Sequence, residues 1–289
     1  MKIYGINGSP RPKGSTARLL KWAMEGVENA CAGAETEIID LYRLNYTGCR
    51  SCFACKKKDS PSYGRCGARD ELSPVLEKLA CADGIIFGSP IYFMDLSGQM
   101  RSFLERLLFP YLVYDGKGTS IAPKRMPTAF FYAMNVTEAQ AGQWGLPQRL
   151  GLMERFVGNI FSTPQTLWCF DTLQFSDYSE YVAPCFDEKA KQRRREEFFP
   201  LDLRKAFEIG RHMALDGLKD ASAEGGSCGC GHDHHDHDHD HDHGQGHAHH
   251  HHEHEHCGCG HDHGHEHGHH HHSHDHGSCD CGHDHQGRS

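Results

Sequence analysis

Long apolar runs are missing from this sequence of 289 residues. No stretch stays apolar over the roughly 20 residues that a membrane-spanning helix needs. The first ten residues, MKIYGINGSP, alternate like a strand and contain no apolar signal core. We therefore expect a cytoplasmic protein with no membrane partner. In that reducing compartment the 14 cysteines are expected to be metal ligands or core residues rather than disulfides.

Histidine is nearly absent from the body of the chain, since only His212 of the 27 histidines precedes residue 228. From residue 228 onward there are 12 acidic residues and one basic residue, a formal charge of −11 within a whole-chain charge of −9. The rest therefore carries +2, which indicates no nucleic acid partner. Composition predicts one domain over residues 1–220 and a His/Cys/Asp-rich low-complexity tail over 221–289. Because the tail has almost no residues that could fill a core, we expect it to be disordered without metal.

Five short apolar runs alternate with helical patterns along the body. They cover residues 2–6, 35–41, 84–89, 127–135 and 163–173. This alternation predicts an α/β fold with a five-stranded parallel sheet, covered by helices on both faces. Right-handed crossovers make such a sheet doubly wound, and its ligands collect at the carboxyl ends of the strands.

The segment NGSPRPKGST lies between the first strand and the first helix, where backbone N–H groups and the helix dipole can hold an anion. It contains neither the dinucleotide fingerprint G-x-G-x-x-G nor the P-loop order Gly-Lys-Ser/Thr. What remains is a hydroxyl-rich cradle suited to a phosphate monoester. Its candidate ligands are Ser9, Arg11, Gly14, Ser15 and Thr16. The alternative is a helix N-cap with turn prolines.

The segment SPIYFM follows the third strand at the same edge of the sheet. An apolar, aromatic loop in that place can lie against a flat ring and shield it from water. A phosphate cradle and a flat-ring loop at one edge together indicate a flavin mononucleotide (FMN) site.

Two segments, GSPRPKGST and GSPIYFMDLSGQMRSFLER, resemble the phosphate and isoalloxazine loops of the NADPH-dependent FMN reductase and flavodoxin-like superfamily. The resemblance spans roughly residues 1–220. It implies a flavodoxin-like fold, an oxidoreductase coupled to NAD(P)H or to a ferredoxin-like electron donor, and a homo-oligomer. It also implies that the cradle residues bind the phosphate of FMN and that Asn135 supplies a third loop. The implied ring contacts are Pro90, Ile91, Tyr92 and Phe93.

Residues 48–66 place three cysteines at the spacing C-x2-C-x2-C, with a fourth after ten more residues. Three neighbouring thiolates and one distant thiolate can hold a cuboidal cluster, although zinc and a redox-active thiol pair are alternatives. The loop follows the second strand and resembles the cluster loop of the iron–sulfur flavoprotein branch of the superfamily, except for a longer gap before the fourth cysteine. The resemblance implies a [4Fe–4S] cluster. Its ligands would be Cys49, Cys52, Cys55 and Cys66.

The tail repeats one cassette, C-x-C-G-H-D-H, three times. Two sulfurs and two imidazoles within seven residues suffice for one four-coordinate site and suit Ni²⁺, Zn²⁺, Co²⁺ or copper. The candidate ligands are Cys228, Cys230, His232, His234, Cys257, Cys259, His261, His263, Cys279, Cys281, His283 and His285. In composition the tail resembles the His-rich extensions of nickel and zinc chaperones, while neutral repeat expansion is the alternative origin.

The leading hypothesis is an FMN-dependent oxidoreductase or electron-transfer flavoprotein in which the cluster passes single electrons. The sequence shows no acid–base pair, and His212 is expected to be structural, so no catalytic side chain is assigned. One alternative is a nickel or zinc storage or delivery protein with a flavin reductase domain. Another is an electron carrier that does not use nicotinamide.

Overall fold

The computed structural model describes residues 1–223, with side chains through residue 216. A parallel sheet lies at its centre, in the strand order β2-β1-β3-β5-β6. The strands are β1 (Lys2–Asn7), β2 (Glu35–Asp40), β3 (Gly84–Tyr92), β5 (Thr128–Ala133) and β6 (Gln165–Cys169); the two-residue β4 (Asp95–Leu96) pairs antiparallel with the end of β3. The order confirms the predicted doubly wound, flavodoxin-like sheet of five parallel strands.

Helices cover both faces of the sheet. They are α1 (Ser15–Ala30), α2 (Ser73–Ala80), α3 (Gly98–Leu108), α4 (Glu138–Gln143), α5 (Leu146–Ile160), α6 (Glu188–Arg193) and α7 (Phe199–Ala223). Residues of α1 and α7 pack on one face, and residues of α2, α3 and α5 pack on the other. One π-helical turn, Arg194–Phe198, joins α6 to α7. Within the described residues, no helix is long and apolar enough to span a membrane.

The central strand β3 shows why its sequence is an unbroken apolar run. Ile85 and Phe87 belong to the core on the α3 side, and Ile86 belongs to the core on the α1 side. A parallel strand that is buried on both faces needs apolar residues at every position, whereas a half-exposed strand would alternate.

The end of β3 differs from the predicted loop. The strand continues through Tyr92, and a two-residue turn at Phe93 and Met94 then leads into β4. Both turn residues have positive φ, 48° and 65°, as in the type I′ turns that usually contain Asn-Gly. The sequence lacks that turn signal, so the predicted loop after residue 89 gave no indication of a hairpin.

Helices α1 and α7 touch backbone to backbone. A Cβ atom added at Gly26 would lie 2.0 Å from the carbonyl oxygen of Phe207, and one added at Gly210 would lie 1.9 Å from that of Ala23. Only glycine fits such an approach. The start of α7 also lies close to α1, since the guanidinium carbon of Arg18 is 4.9 Å from the centroid of the Phe199 ring.

Candidate functional site

The loop that follows β1 meets the last half of β3 and the start of α3 at the carboxyl edge of the sheet. The Gly8 N–H donates to the Gly88 carbonyl oxygen over 2.8 Å. The hydroxyl of Ser97, at the start of α3, donates to the Gly8 carbonyl oxygen over 2.6 Å, and the Ser97 N–H donates to the Ser89 hydroxyl over 3.0 Å. The two segments that were predicted to hold a phosphate and a flat ring are therefore joined, and Ser97 is a residue that the sequence interpretation missed.

The first loop leaves the start of α1 without a side-chain cap. Gly14 stands at the N-cap position, no side chain accepts from the first turn, and that turn contains no acidic residue. Ser9 and Thr16 are buried, and the Ser9 hydroxyl accepts from the Arg11 N–H over 3.1 Å. Free N–H groups at the start of a 16-residue helix suit an anion. The alternative, a capped helix start, has no capping side chain to support it.

The loop after β6 ties the first and third loops together. The Arg11 guanidinium donates to the Gln174 carbonyl oxygen over 2.6 Å, and the Asn135 side-chain amide donates to the Gln174 side-chain oxygen. The Gln174 N–H donates to the Tyr178 hydroxyl over 3.1 Å. Gln174 joins residues that are far apart in sequence, and no local pattern marks it.

Beneath the third loop lies a buried lysine that the sequence interpretation also missed. The Lys191 ammonium group donates to the Asn135 carbonyl oxygen over 2.7 Å and to Asp171 over 2.6 Å. Its side chain is 4% exposed. A buried ammonium group is stable only when it is paired and hydrogen-bonded in this way, so Lys191 fixes the loops that carry Asn135 and Asp171.

The four predicted ring contacts lie on the β3–β4 hairpin. Pro90 and Ile91 are half-buried, whereas Tyr92 is exposed and the Phe93 side chain is fully exposed. An aromatic residue at positive φ costs about 1–3 kcal/mol, and such strain is characteristic of ligand clamps and active sites. The exposed ring of Phe93 gains nothing from packing in the described residues, so its position is suited to a ligand.

The cysteine loop lies between β2 and α2 and packs on α3. Cys49 and Cys52 are exposed, Cys55 is buried, and Cys66 is half-buried. Burial raises the pKa of Cys55 although the positive charge of Lys56 opposes it, and smaller electrostatic interactions with Cys66 and Cys49 add to the increase. Residues 1–223 contain no group of three or more His, Cys, Asp or Glu side chains that is assembled to hold a metal ion. The loop therefore gathers thiols in one region without closing a ligand set.

A buried arginine points at the fourth cysteine. The Nε–H of Arg106 donates to the Cys66 sulfur over 3.1 Å, and its terminal nitrogens donate to the Asp70 carboxylate over 2.5 and 3.1 Å. Since thiolates are the ligands of iron–sulfur clusters, the donor chemistry of this loop fits such a group. Arg106 lies in the amphipathic helix α3, and the sequence interpretation missed it.

Four cysteines stand alone, outside the cysteine loop. Cys169 is buried and its thiol donates to Asp202 over 3.3 Å, Cys31 is half-buried, and Cys81 and Cys185 are exposed. His212 is exposed on α7. The ligands predicted in the three tail cassettes, within residues 228–285, lie outside the described residues and stay predictions.

The strand order and the helices on both faces of the sheet define a flavodoxin-like fold. In solved structures the same fold occurs in an NAD(P)H:quinone oxidoreductase from Methanothermobacter marburgensis, with a TM-score of 0.50, 17% identity, and coverage of 73% of this chain and 96% of that one. It also occurs in an azoreductase from Bacillus anthracis, with a TM-score of 0.52, 14% identity, and coverage of 73% and 99%. At these identities the likeness is one of fold.

Sequence comparison adds a family match. Residues 1–124 match the model of the NADPH-dependent FMN reductase family. An iron–sulfur flavoprotein of Methanocaldococcus jannaschii is 40% identical over 106 residues, which are 37% of this chain and 51% of the relative. One from Archaeoglobus fulgidus is 34% identical over 112 residues, 38% of this chain and 47% of the relative. The chain thus matches about half the length of these relatives.

Proposed function

We propose that this protein binds FMN and acts as an FMN-dependent oxidoreductase that accepts reducing equivalents from NAD(P)H or from a ferredoxin-like protein. The observation that carries the proposal is the junction at Ser97, where an uncapped helix start and a strained aromatic hairpin share one edge. The family match over residues 1–124 supports it. We also propose that the protein is cytoplasmic and that it forms a homo-oligomer. Light scattering on the purified protein tests the oligomeric state.

Each part of the edge has its own task in this proposal. The amides at the start of α1 and the hydroxyls of Ser9, Ser15 and Thr16 hold the phosphate. Tyr92 and Phe93 lie against the ring and exclude water from it. FMN itself supplies hydride and single-electron chemistry when it is bound. The chain positions that group, and the open side of the hairpin admits the electron donor.

Phosphate binding is tested by placing a charge at the first residue of α1. In the variant Ser15→Asp, a carboxylate faces the site of the phosphate, and we expect FMN affinity to fall at least about 100-fold. The neutral, nearly isosteric Ser15→Asn is the matched control. Because an acidic residue at a helix start stabilises the helix, lost binding cannot be attributed to unfolding. Riboflavin, which lacks the phosphate, should bind both variants alike; equal FMN binding by both would contradict the site.

The electron donor is tested by anaerobic rapid mixing. The FMN-loaded protein is mixed with NADPH, NADH or reduced ferredoxin, and the flavin absorbance is followed. Bleaching by a nicotinamide supports the reductase, and bleaching by ferredoxin alone supports the electron carrier. If none of the three bleaches the flavin, the proposed oxidoreductase is wrong.

We further propose that residues 48–66 hold a [4Fe–4S] cluster through Cys49, Cys52, Cys55 and Cys66. The N–H of Arg106 directed at Cys66 supports the fourth ligand. After anaerobic reconstitution, the wild type should contain iron and acid-labile sulfide in equal amounts, and Cys66→Ser should lose most of both. The exposed Cys185→Ser is the control. Bound zinc without sulfide would instead support the zinc alternative.

A second candidate function is storage or delivery of nickel or zinc. It is favoured by one observation, the return of the cassette C-x-C-G-H-D-H in the same frame three times. Two sulfurs and two imidazoles in each cassette match the preferences of these ions. The flavin domain would then reduce a protein partner.

A further inference from the structure

Two half-buried arginines stand out because they lack polar partners. Within residues 1–216, all other lysine and arginine side chains that are at least half-buried donate hydrogen bonds. They are Lys56, Arg106, Lys124, Lys191, Arg194 and Arg211. The side chains of Arg18 and Arg195 make neither a hydrogen bond nor an ion pair within residues 1–216. Both lie against the ring of Phe199, with their guanidinium carbons 4.9 and 4.2 Å from its centroid.

Two half-buried guanidinium groups against one ring repel each other, and no anion offsets their charge within the described residues. Burial lowers the pKa of Arg195, and the positive charge of Arg18 lowers it further. Attraction to an aromatic face offsets only part of the cost of desolvating a cation. A doubly charged oxyanion would satisfy both guanidinium groups, because their fork of N–H donors matches a phosphoryl group.

The pair also lies beside the carboxyl edge of the sheet. Arg18 is the fourth residue of α1, whose start has no side-chain cap. Arg195 belongs to the π-helical turn Arg194–Phe198, an irregularity that is common at functional sites. Arg195 and Phe199 line a cavity of about 10 Å³ together with the loop that follows β6, which is room for about one water.

We propose that Arg18 and Arg195 form a second phosphate-binding site, which takes a phosphoryl group of a ligand other than FMN. FMN carries a single phosphate, and the loop from Ser9 to Thr16 accounts for it. Under the function proposed above, on which this assignment rests, the ligand is a phosphorylated nicotinamide dinucleotide. The site then favours NADPH, whose ribose carries a 2′-phosphate, over NADH.

Binding is measured by calorimetry on the FMN-loaded protein, with three probes: adenosine 2′,5′-bisphosphate, 5′-AMP and inorganic phosphate. The wild type should bind the bisphosphate most tightly. Arg18→Gln and Arg195→Gln should each weaken that binding at least about tenfold, since each removes one charge-assisted contact. The exposed Arg193→Gln and Arg204→Gln are matched controls and should leave it unchanged.

Several outcomes would overturn the proposal. The proposal is wrong if no probe binds the wild type. It is also wrong if the two variants bind the bisphosphate as tightly as the wild type does. If both variants instead lose FMN affinity, the pair belongs to the FMN phosphate and no second site exists. If inorganic phosphate binds as tightly as the bisphosphate, the site takes free phosphate and the dinucleotide assignment is wrong. These binding measurements do not depend on catalytic turnover. Binding of the bisphosphate by a protein whose flavin NADPH does not reduce would therefore separate this site from the proposed oxidoreductase activity.

Discussion

Replacing Arg106 by methionine tests the junction between α3 and the cysteine loop. The Arg106 side chain is 1% exposed and Asp70 is 23% exposed. Removing one partner of a buried ion pair costs about 3–5 kcal/mol, because the other charge stays buried. Since water reaches part of Asp70, we expect the lower end, about 3 kcal/mol. The free energy of unfolding of a typical domain, about 5–15 kcal/mol, is large enough for the variant to fold.

The measurement is urea unfolding at pH 7, followed by tryptophan fluorescence. In the double variant Arg106→Met/Asp70→Asn the unpaired carboxylate at position 70 is gone. The asparagine oxygen can still accept from the Leu72 N–H, as Asp70 does over 3.1 Å. We expect it to recover at least about 1 kcal/mol relative to the single variant. A single variant within about 1 kcal/mol of wild type would refute the reasoning.

The same pair predicts a pH dependence. Burial opposes ionisation of Asp70, but the hydrogen bonds and charge of Arg106 outweigh it, so the pKa of Asp70 lies below its usual value. A lowered pKa contributes stability above the unfolded value, and this contribution is lost as pH falls through the folded value. The difference between wild type and Arg106→Met should therefore narrow below about pH 4. A constant difference down to pH 3 would contradict this.

Three further perturbations separate packing, the ring site and the tail. Gly26→Ala would place a Cβ atom 2.0 Å from the Phe207 carbonyl oxygen and should cost at least about 2 kcal/mol in urea unfolding. Gly151→Ala is the control. A Cβ atom added there meets no neighbouring part of the fold within 4 Å, so the free energy of unfolding should not fall. Phe93→Gly relieves a positive φ of 48°, so the free energy of unfolding should stay the same or rise by about 1 kcal/mol. The affinity for FMN should fall, and an unchanged affinity would remove Phe93 from the ring site. Truncation after residue 226 should leave FMN content intact and abolish most uptake of Ni²⁺ or Zn²⁺, as measured by elemental analysis; loss of FMN would contradict two separate modules.

The sheet could be predicted because its signal is local and repeated. The run GIIFGS is buried on both faces, and burial on both faces requires apolar residues throughout. The ends of the strands were less predictable, since the continuation of β3 through Tyr92 depends on pairing with β5 and β4. The turn at Phe93 and Met94 carries no glycine or asparagine, so the usual hairpin signal is absent.

The candidate site divides in the same way. Ser9, Ser15 and Thr16 follow a strand and begin a helix, so their common location is a local property of the sequence. Gln174 and Arg106 act over long separations: 163 residues separate Gln174 from Arg11, and 40 separate Arg106 from Cys66. Such contacts depend on the tertiary fold, so no local sequence motif indicates them.

Helix α3 connects the two proposed cofactor sites. At its start the Ser97 hydroxyl holds the Gly8 carbonyl oxygen. At its other end Glu105 accepts from the Cys49 N–H over 3.1 Å, and Arg106 donates to Cys66. Nine residues at 1.5 Å each separate Ser97 from Arg106 by roughly 13 Å. Effects of mutations that far apart usually add. A change at Arg106 that alters FMN affinity would therefore mean that α3 shifts as one rigid body and couples the two sites.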